Sequence, residues 1–257
     1  MSDERPIRVV LVDDVPELRL LVRLTLEEDP AIEVVGEAAN GREGVEVVQA
    51  TDPDLVLLDL SMPDMDGLEA IPLIREHAPH ARVVVLSGHE AGRLSLQALD
   101  QGASRYINKA SGLDSIPHIV REVAELDPPF SDERFGVIRS MWESFLDGQI
   151  ENALARATAD VRWRPFVAKG REFQSHDEAR AFIDELLARG REVDPRAYGV
   201  EPRPSGLVVV GTLEIRGPDG LDETQIYWAF CFSGNLVSMA AGFDSREDAL
   251  QTLAALG

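Results

Sequence analysis

The sequence predicts two domains of different class: an α/β doubly wound domain on a five-stranded parallel sheet, then an α+β domain. Three observations carry this. Short β-rich runs alternate with helix-length amphipathic segments through the first half. Acids, a serine and a lysine stand at the ends of those runs. Past a polar, turn-rich stretch at residues 127–134, DPPFSDER, the order of elements changes. At 257 residues, either half can bury a core of its own.

The β-rich runs are 7–12 (IRVVLV), 32–36 (IEVVG), 54–59 (DLVLLD), 82–87 (RVVVLS) and 104–108 (SRYIN). Amphipathic stretches lie between and after them, near 15–28, 41–51, 66–77, 90–101 and 112–126. Strands that alternate with helices read as βαβ units, and right-handed crossovers wind such units into one parallel sheet. Three of the runs are almost wholly apolar, as strands covered on both faces are. After the linker come two helical stretches (135–148 and 150–158), a strand (160–167) and a helix (176–189). Ser175 and Glu178 announce that helix with a capping-box spacing. Long β runs at 206–216, 222–233 and 235–243 and a last helix at 245–255 complete an α+β order, with helices packed on one curved sheet. The domain limits are set at 1–127 and 135–257, with 128–134 as linker.

Composition narrows the functions. The net charge is −21, and both halves share in it: residues 1–127 carry 11 Lys and Arg against 25 Asp and Glu, the remainder 14 against 21. Neither half offers a general electrostatic surface to nucleic-acid phosphates, so no nucleic acid is expected as a partner. The N-terminal MSDERPIRVV lacks the basic region and apolar core of a signal peptide. No apolar run approaches the roughly 18–20 residues that span a bilayer, so the expectation is a cytoplasmic protein with no membrane partner. Cys231 is the only cysteine, which precludes a disulfide within one chain. Five scattered histidines show no zinc-ligand spacing with a cysteine.

In open α/β sheets ligands gather at the carboxyl ends of the strands. There the predicted topology brings Asp13 and Asp14 after the first strand, Asp59 at the end of the third, Ser87 at the end of the fourth and Lys109 after the fifth. Three close carboxylates repel one another, and packing does not call for them. A hard divalent cation such as Mg²⁺ offsets that repulsion through oxygen ligands. A carboxylate beside the ion can act as a nucleophile toward phosphorus, Lys109 can balance charge on the incoming group, and Ser87 can donate a hydrogen bond to it. Any one of these acids alone reads equally as a solvated strand end, and Tyr106 alone as a packed edge residue.

The stretches VDD (12–14), LLDLSMPDMDG (57–67), VVLSG (84–88) and RYINKA (105–110) resemble the flavodoxin-like (CheY-like) receiver domain of two-component response regulators, over roughly residues 5–126. The resemblance implies Asp59 as phospho-acceptor, with Asp13, Asp14, Asp59 and the main-chain oxygen of Ser61 as Mg²⁺ ligands. It further implies Ser87 and Lys109 as phosphate contacts, Tyr106 with Ser87 as the switch, and a sensor histidine kinase as partner. Pro63 and Gly67 shape the loop after Asp59. One position departs from the pattern: Ala110 stands where the family usually has proline, which puts the behaviour of that loop in question.

The stretches 141–166, 170–190 and 226–253 are similar to SnoaL-like domains of the nuclear transport factor 2 superfamily, an α+β cone. That resemblance implies a pocket between sheet and helices that takes a small ligand or a protein partner, and pairing of cones into a homodimer. Trp142, Trp163, Tyr227 and Trp228 read as core. His176 sits one residue past the cap Ser175 and reads as a solvated helix start. Glu214 shares a strand face with Val208, Val210 and Thr212, and Asp244 reads as a cap of the last helix. No convergent acid–base pair stands out. The expected function is a phosphorelay response regulator whose receiver controls a cone that does not bind DNA. The alternative is a cyclase- or isomerase-like cone enzyme gated by phosphorylation.

Overall fold

The computed structural model describes residues 5–89, 91–125, 133–218 and 220–255. Residues 128–132 of the expected linker lie outside the described residues, as do residues 126 and 127. The chain divides into two compact units, Met1–Ser131 and Asp132–Gly257.

In the first unit strands β1 (Ile7–Val12), β2 (Ile32–Ala38), β3 (Leu55–Asp59), β4 (Arg82–Ser87) and β5 (Ala103–Asn108) alternate with helices α1 (Pro16–Glu27), α2 (Gly41–Thr51), α3 (Gly67–His77), α4 (Arg93–Asp100) and α5 (Ile116–Ala124). The strands run in the order β2-β1-β3-β4-β5. Every pairing among them is parallel. The doubly wound expectation therefore holds, element by element. All five residues of β3 are buried. Each fully buried leucine contributes about 1.5–3 kcal/mol, so Leu55, Leu57 and Leu58 anchor the strand that carries Asp59 outward. Helix starts follow local chemistry. The Asn40 side chain accepts from Glu43 N at 2.9 Å. Asp66 and Glu69 form a reciprocal capping box at the start of α3.

The second unit contains α6 (Arg134–Leu146), α7 (Ile150–Leu154), β6 (Ala157–Arg164), α8 (His176–Ala188), β7 (Glu192–Arg203), β8 (Gly206–Gly217), β9 (Gly220–Ser233), β10 (Leu236–Phe243) and α9 (Arg246–Ala254). Here β7, β8, β9 and β10 pair antiparallel in chain order, and β6 returns to the far side of β10 in parallel. Val208, Val210, Ala229, Met239 and Ala241 pack against Ala249 and Leu253 of α9. The other face carries Trp228 and Phe230, which meet Trp142 of α6 edge-on at centroid distances of 5.0 and 6.1 Å.

Several local expectations change. Strand β7 was not expected: its two prolines, Pro195 and Pro202, and its charged residues hide it. Glu214 is no free carboxylate on an apolar face, because it is buried and paired with Arg196 at 2.7 Å. Ser245, not Asp244, caps α9, its hydroxyl accepting from Asp248 N at 3.3 Å. His176 is half-buried, with Nε2 3.2 Å from the Ala157 carbonyl, so it ties the start of α8 to β6. Ser175 does cap α8, but Glu178 reaches back to Gln174 N at 2.7 Å instead of Ser175 N. Among the described residues no helix is long and apolar enough to cross a membrane.

Candidate functional site: an acidic cluster at the carboxyl edge of the parallel sheet

The carboxyl ends of β1, β3 and β5 bring the expected residues together. One carboxylate oxygen each of Asp13, Asp14 and Asp59 lies within 4.8 Å of the others. Lys109 Nζ reaches both Asp13 Oδ2, at 2.8 Å, and Asp59 Oδ2, at 2.9 Å. The second oxygens are held by main chain: Asp13 Oδ1 accepts from Val15 N at 2.9 Å and Asp59 Oδ1 from Ser61 N at 3.3 Å. Asp13 and Asp59 are buried and Asp14 is half-buried. The donor set is oxygen-rich and over-negative, which suits a hard divalent cation.

Electrostatics follow burial. Desolvation pushes the Asp59 carboxyl above the ordinary carboxylate range, and the charge of Asp13 adds to this, against the opposing pull of Lys109 and the Ser61 N–H. Desolvation alone would lower the Lys109 ammonium, but the hydrogen bonds and charges of Asp13 and Asp59 outweigh it and raise it. Lys109 is therefore held as a cation between the two carboxylates.

Gly67 explains part of the motif. A methyl group there would meet the Asp59 carbonyl oxygen at 2.2 Å and Leu60 Cα at 2.8 Å, and Gly67 N donates to Leu60 O at 3.0 Å. The start of α3 thus lies directly against the backbone that carries Asp59. Gly67→Ala is expected to destabilise the first unit by about 1–3 kcal/mol, because the obstructing atoms are backbone. Urea unfolding checks this, and an unchanged midpoint would sink it.

Ser87 and Tyr106 meet through the loop after β4. Ser87 is fully buried, and its Oγ accepts from His89 N at 3.1 Å. Tyr106 is buried as well, and its hydroxyl donates to the His89 carbonyl at 2.9 Å. Burial, with the charge of Asp59, raises the Tyr106 phenol, although a hydrogen bond with Ser87 opposes this. His89 therefore acts here through its main chain, which no side-chain pattern could have signalled. At the departing position, Ala110 N donates to Asn108 Oδ1 at 2.8 Å. Proline has no N–H to make that bond, so the loop that aims Lys109 is closed differently here.

In the second unit a pocket of about 150 Å³ lies between the sheet and α6, α7 and α8. All its lining residues are nonpolar, among them Trp142, Trp163 and Trp228. Trp142 is buried and Trp163 packs on Phe173 and Phe182, so the core reading holds for them, and the three tryptophans line this space as well. No ionisable side chain is among the lining residues.

Residues 9–121 match the family model of the response regulator receiver domain, and this segment is such a domain, the CheY-like input module of two-component systems. The nitrate/nitrite response regulator protein NarL of Escherichia coli (strain K12) is 43% identical over 109 residues, 42% of this chain and 50% of that protein. Protein-glutamate methylesterase/protein-glutamine glutaminase 2 of Carboxydothermus hydrogenoformans is 43% identical over 120 residues, 46% of this chain and 33% of that protein. The chain thus spans half or less of the length of these relatives. The crystal structure of the response regulator domain of Thermotoga maritima CheB overlays with a TM-score of 0.46 at 32% identity, covering 48% of this chain and 100% of that one.

Proposed function

We propose that this chain is a phosphorelay response regulator in which Asp59 accepts a phosphoryl group from a sensor histidine kinase. The observation that carries this is the position of Lys109 Nζ, within 2.9 Å of both Asp13 and Asp59, in a cluster of three carboxylates. An Asp59 oxygen attacks phosphorus, the bond from phosphorus to the donor breaks, and an acyl phosphate forms. Lys109 and Ser87 contact the transferred oxygens, and Ser87 with Tyr106 couples their arrival to the loop at His89. Asp13, Asp14, Asp59 and the main-chain oxygen of Ser61 would hold Mg²⁺. When bound, that ion neutralises charge on the phosphoryl oxygens. Mass spectrometry of the intact chain after incubation with acetyl phosphate tests the reading. One added phosphoryl group supports it, and no addition with Mg²⁺ present overturns it.

Mg²⁺ alone is expected to stabilise the chain. At a hundredfold excess over Kd the gain is about 2.7 kcal/mol, a rise in Tm of several degrees. Asp13→Asn should remove most of it. A Tm that ignores Mg²⁺ counts against the ligand set.

We read the chain as a receiver (1–127), a linker (128–134) and a SnoaL-like cone (135–257) whose pocket takes a small apolar ligand, in a cytoplasmic protein that pairs through the cone. The nonpolar lining supports a binding role over a cyclase- or isomerase-like one, which needs a positioned acid or base. Light scattering with and without beryllofluoride tests whether the receiver governs assembly.

A further inference from the structure

The apolar pocket of the second unit lies beside a polar depression of about 610 Å³, and the two share Pro165, Phe166 and Gly242 as lining. At this junction little room is left to spare: a methyl group on Gly242 would meet Phe166 Cβ at 3.1 Å and Phe166 N at 3.2 Å. A glycine there lets Phe166 pack directly on β10 at the wall the two spaces share.

Two cations border the depression beside those shared residues, Arg164 and Lys169. Arg164 is half-buried at the end of β6, its guanidinium 4.7 Å from the Phe243 ring centroid. Stacking engages the face of a guanidinium and leaves its edge donors free for a carboxylate. Lys169 is exposed, in the left-handed turn that follows Phe166–Ala168. Among the described residues neither cation has an ion pair, in a chain with 46 acids against 25 bases. Asp244 and Asp248 also border the depression, with Gln251 and Thr252. Both carboxylates are exposed, as Lys169 is, so solvent screens all three, whereas the half-buried Arg164 acts through less water and dominates the site.

We propose that this site takes an amphipathic monocarboxylate: an apolar body of about one ring in the chamber, its carboxylate at the mouth against Arg164 and Lys169. The chamber volume sets the body, since a cavity of this size holds roughly one benzene-sized ring. The inference rests on reading the second unit as a ligand-binding domain, and it adds the chemical class of the ligand.

All three tryptophans of the chain line the chamber, so intrinsic emission reports on its occupancy. The full chain is titrated with phenylpropionate, phenylpropanol and phenylpropylammonium, which share a body and differ in the head. The carboxylate should bind about tenfold tighter than the alcohol, and the ammonium most weakly. Arg164→Gln and Lys169→Gln together should narrow the gap between carboxylate and alcohol to about twofold. Equal binding of carboxylate and alcohol overturns the anion clamp and leaves the chamber as a binding site. An ammonium that binds tightest overturns the clamp as well, with Asp244 and Asp248 governing the mouth. If none of the three changes the emission or displaces a fluorescent apolar dye, the ligand-binding reading of the unit fails with it.

Discussion

Asp59→Asn is expected to take up no phosphoryl group from acetyl phosphate while keeping its fold. The substitution is nearly isosteric, and the asparagine oxygen can still accept from Ser61 N, as Asp59 does now at 3.3 Å. What is lost is the nucleophilic charge, so labelling should fall by at least about a hundredfold. Labelling that persists in the variant would place the acceptor elsewhere. Stability should move the other way. Burial raises the Asp59 carboxyl, with help from Asp13 and against Lys109. A raised folded-state pKa favours the folded chain below the unfolded value of about 3.9, and that contribution disappears as pH rises through the folded value. At neutral pH without divalent cation the wild type therefore carries a buried charge at a cost that the Asn variant lacks. The variant should match or exceed the Tm of the wild type at pH 7, and its advantage should shrink toward pH 3. A variant clearly less stable at pH 7 would mean that the Lys109 pair outweighs the desolvation.

Lys109→Ala is expected to have the second large effect. It leaves two buried carboxylates, Asp13 and Asp59, without their ammonium partner, and Asp14 close by. Breaking a buried pair from one side is more costly than never having had it, so the loss without divalent cation should reach about 2–3 kcal/mol. Mg²⁺ should recover much of this, because the proposed site would keep all three carboxylates and lose a competing cation. Phosphoryl uptake should fall by about tenfold or more, since the fixed charge facing the transferred oxygens is gone. Urea unfolding in EDTA and in Mg²⁺ reads the first effect, and acetyl phosphate labelling the second. Uptake at the wild-type rate would remove Lys109 from the chemistry.

Much of the first unit was legible in order along the chain. Its strands are continuous apolar runs, because a parallel sheet buries both faces, and their ends are marked by the residues that leave the sheet. Leu55–Asp59 shows this within five residues. Strand β7 shows the opposite. Glu192–Arg203 reads as polar and proline-broken, yet its buried charges also find partners on other elements. Arg196 pairs with Glu214 on β8. Glu201, with no exposed surface, is held by Arg203 at 3.0 Å and by Arg246 of α9 at 2.7 Å. Local periodicity cannot reveal a carboxylate whose partner lies 45 residues away. The chamber was hidden for the same reason. Its walls come from α6, α7, α8 and the strands of one sheet, and the tryptophans that line it look like any core aromatics.

The sequence by itself determined that three acids, a serine and a lysine collect at one sheet edge, because strand ends in a doubly wound fold converge there. Only the tertiary structure decided what they do to each other. Lys109 spans 96 residues of chain to reach Asp13 and bridges it to Asp59. Tyr106 spends its hydroxyl on the main chain of His89, and Asn108 closes the loop at Ala110. These are choices among hydrogen-bond partners a few ångströms apart, and only packing in three dimensions ranks them.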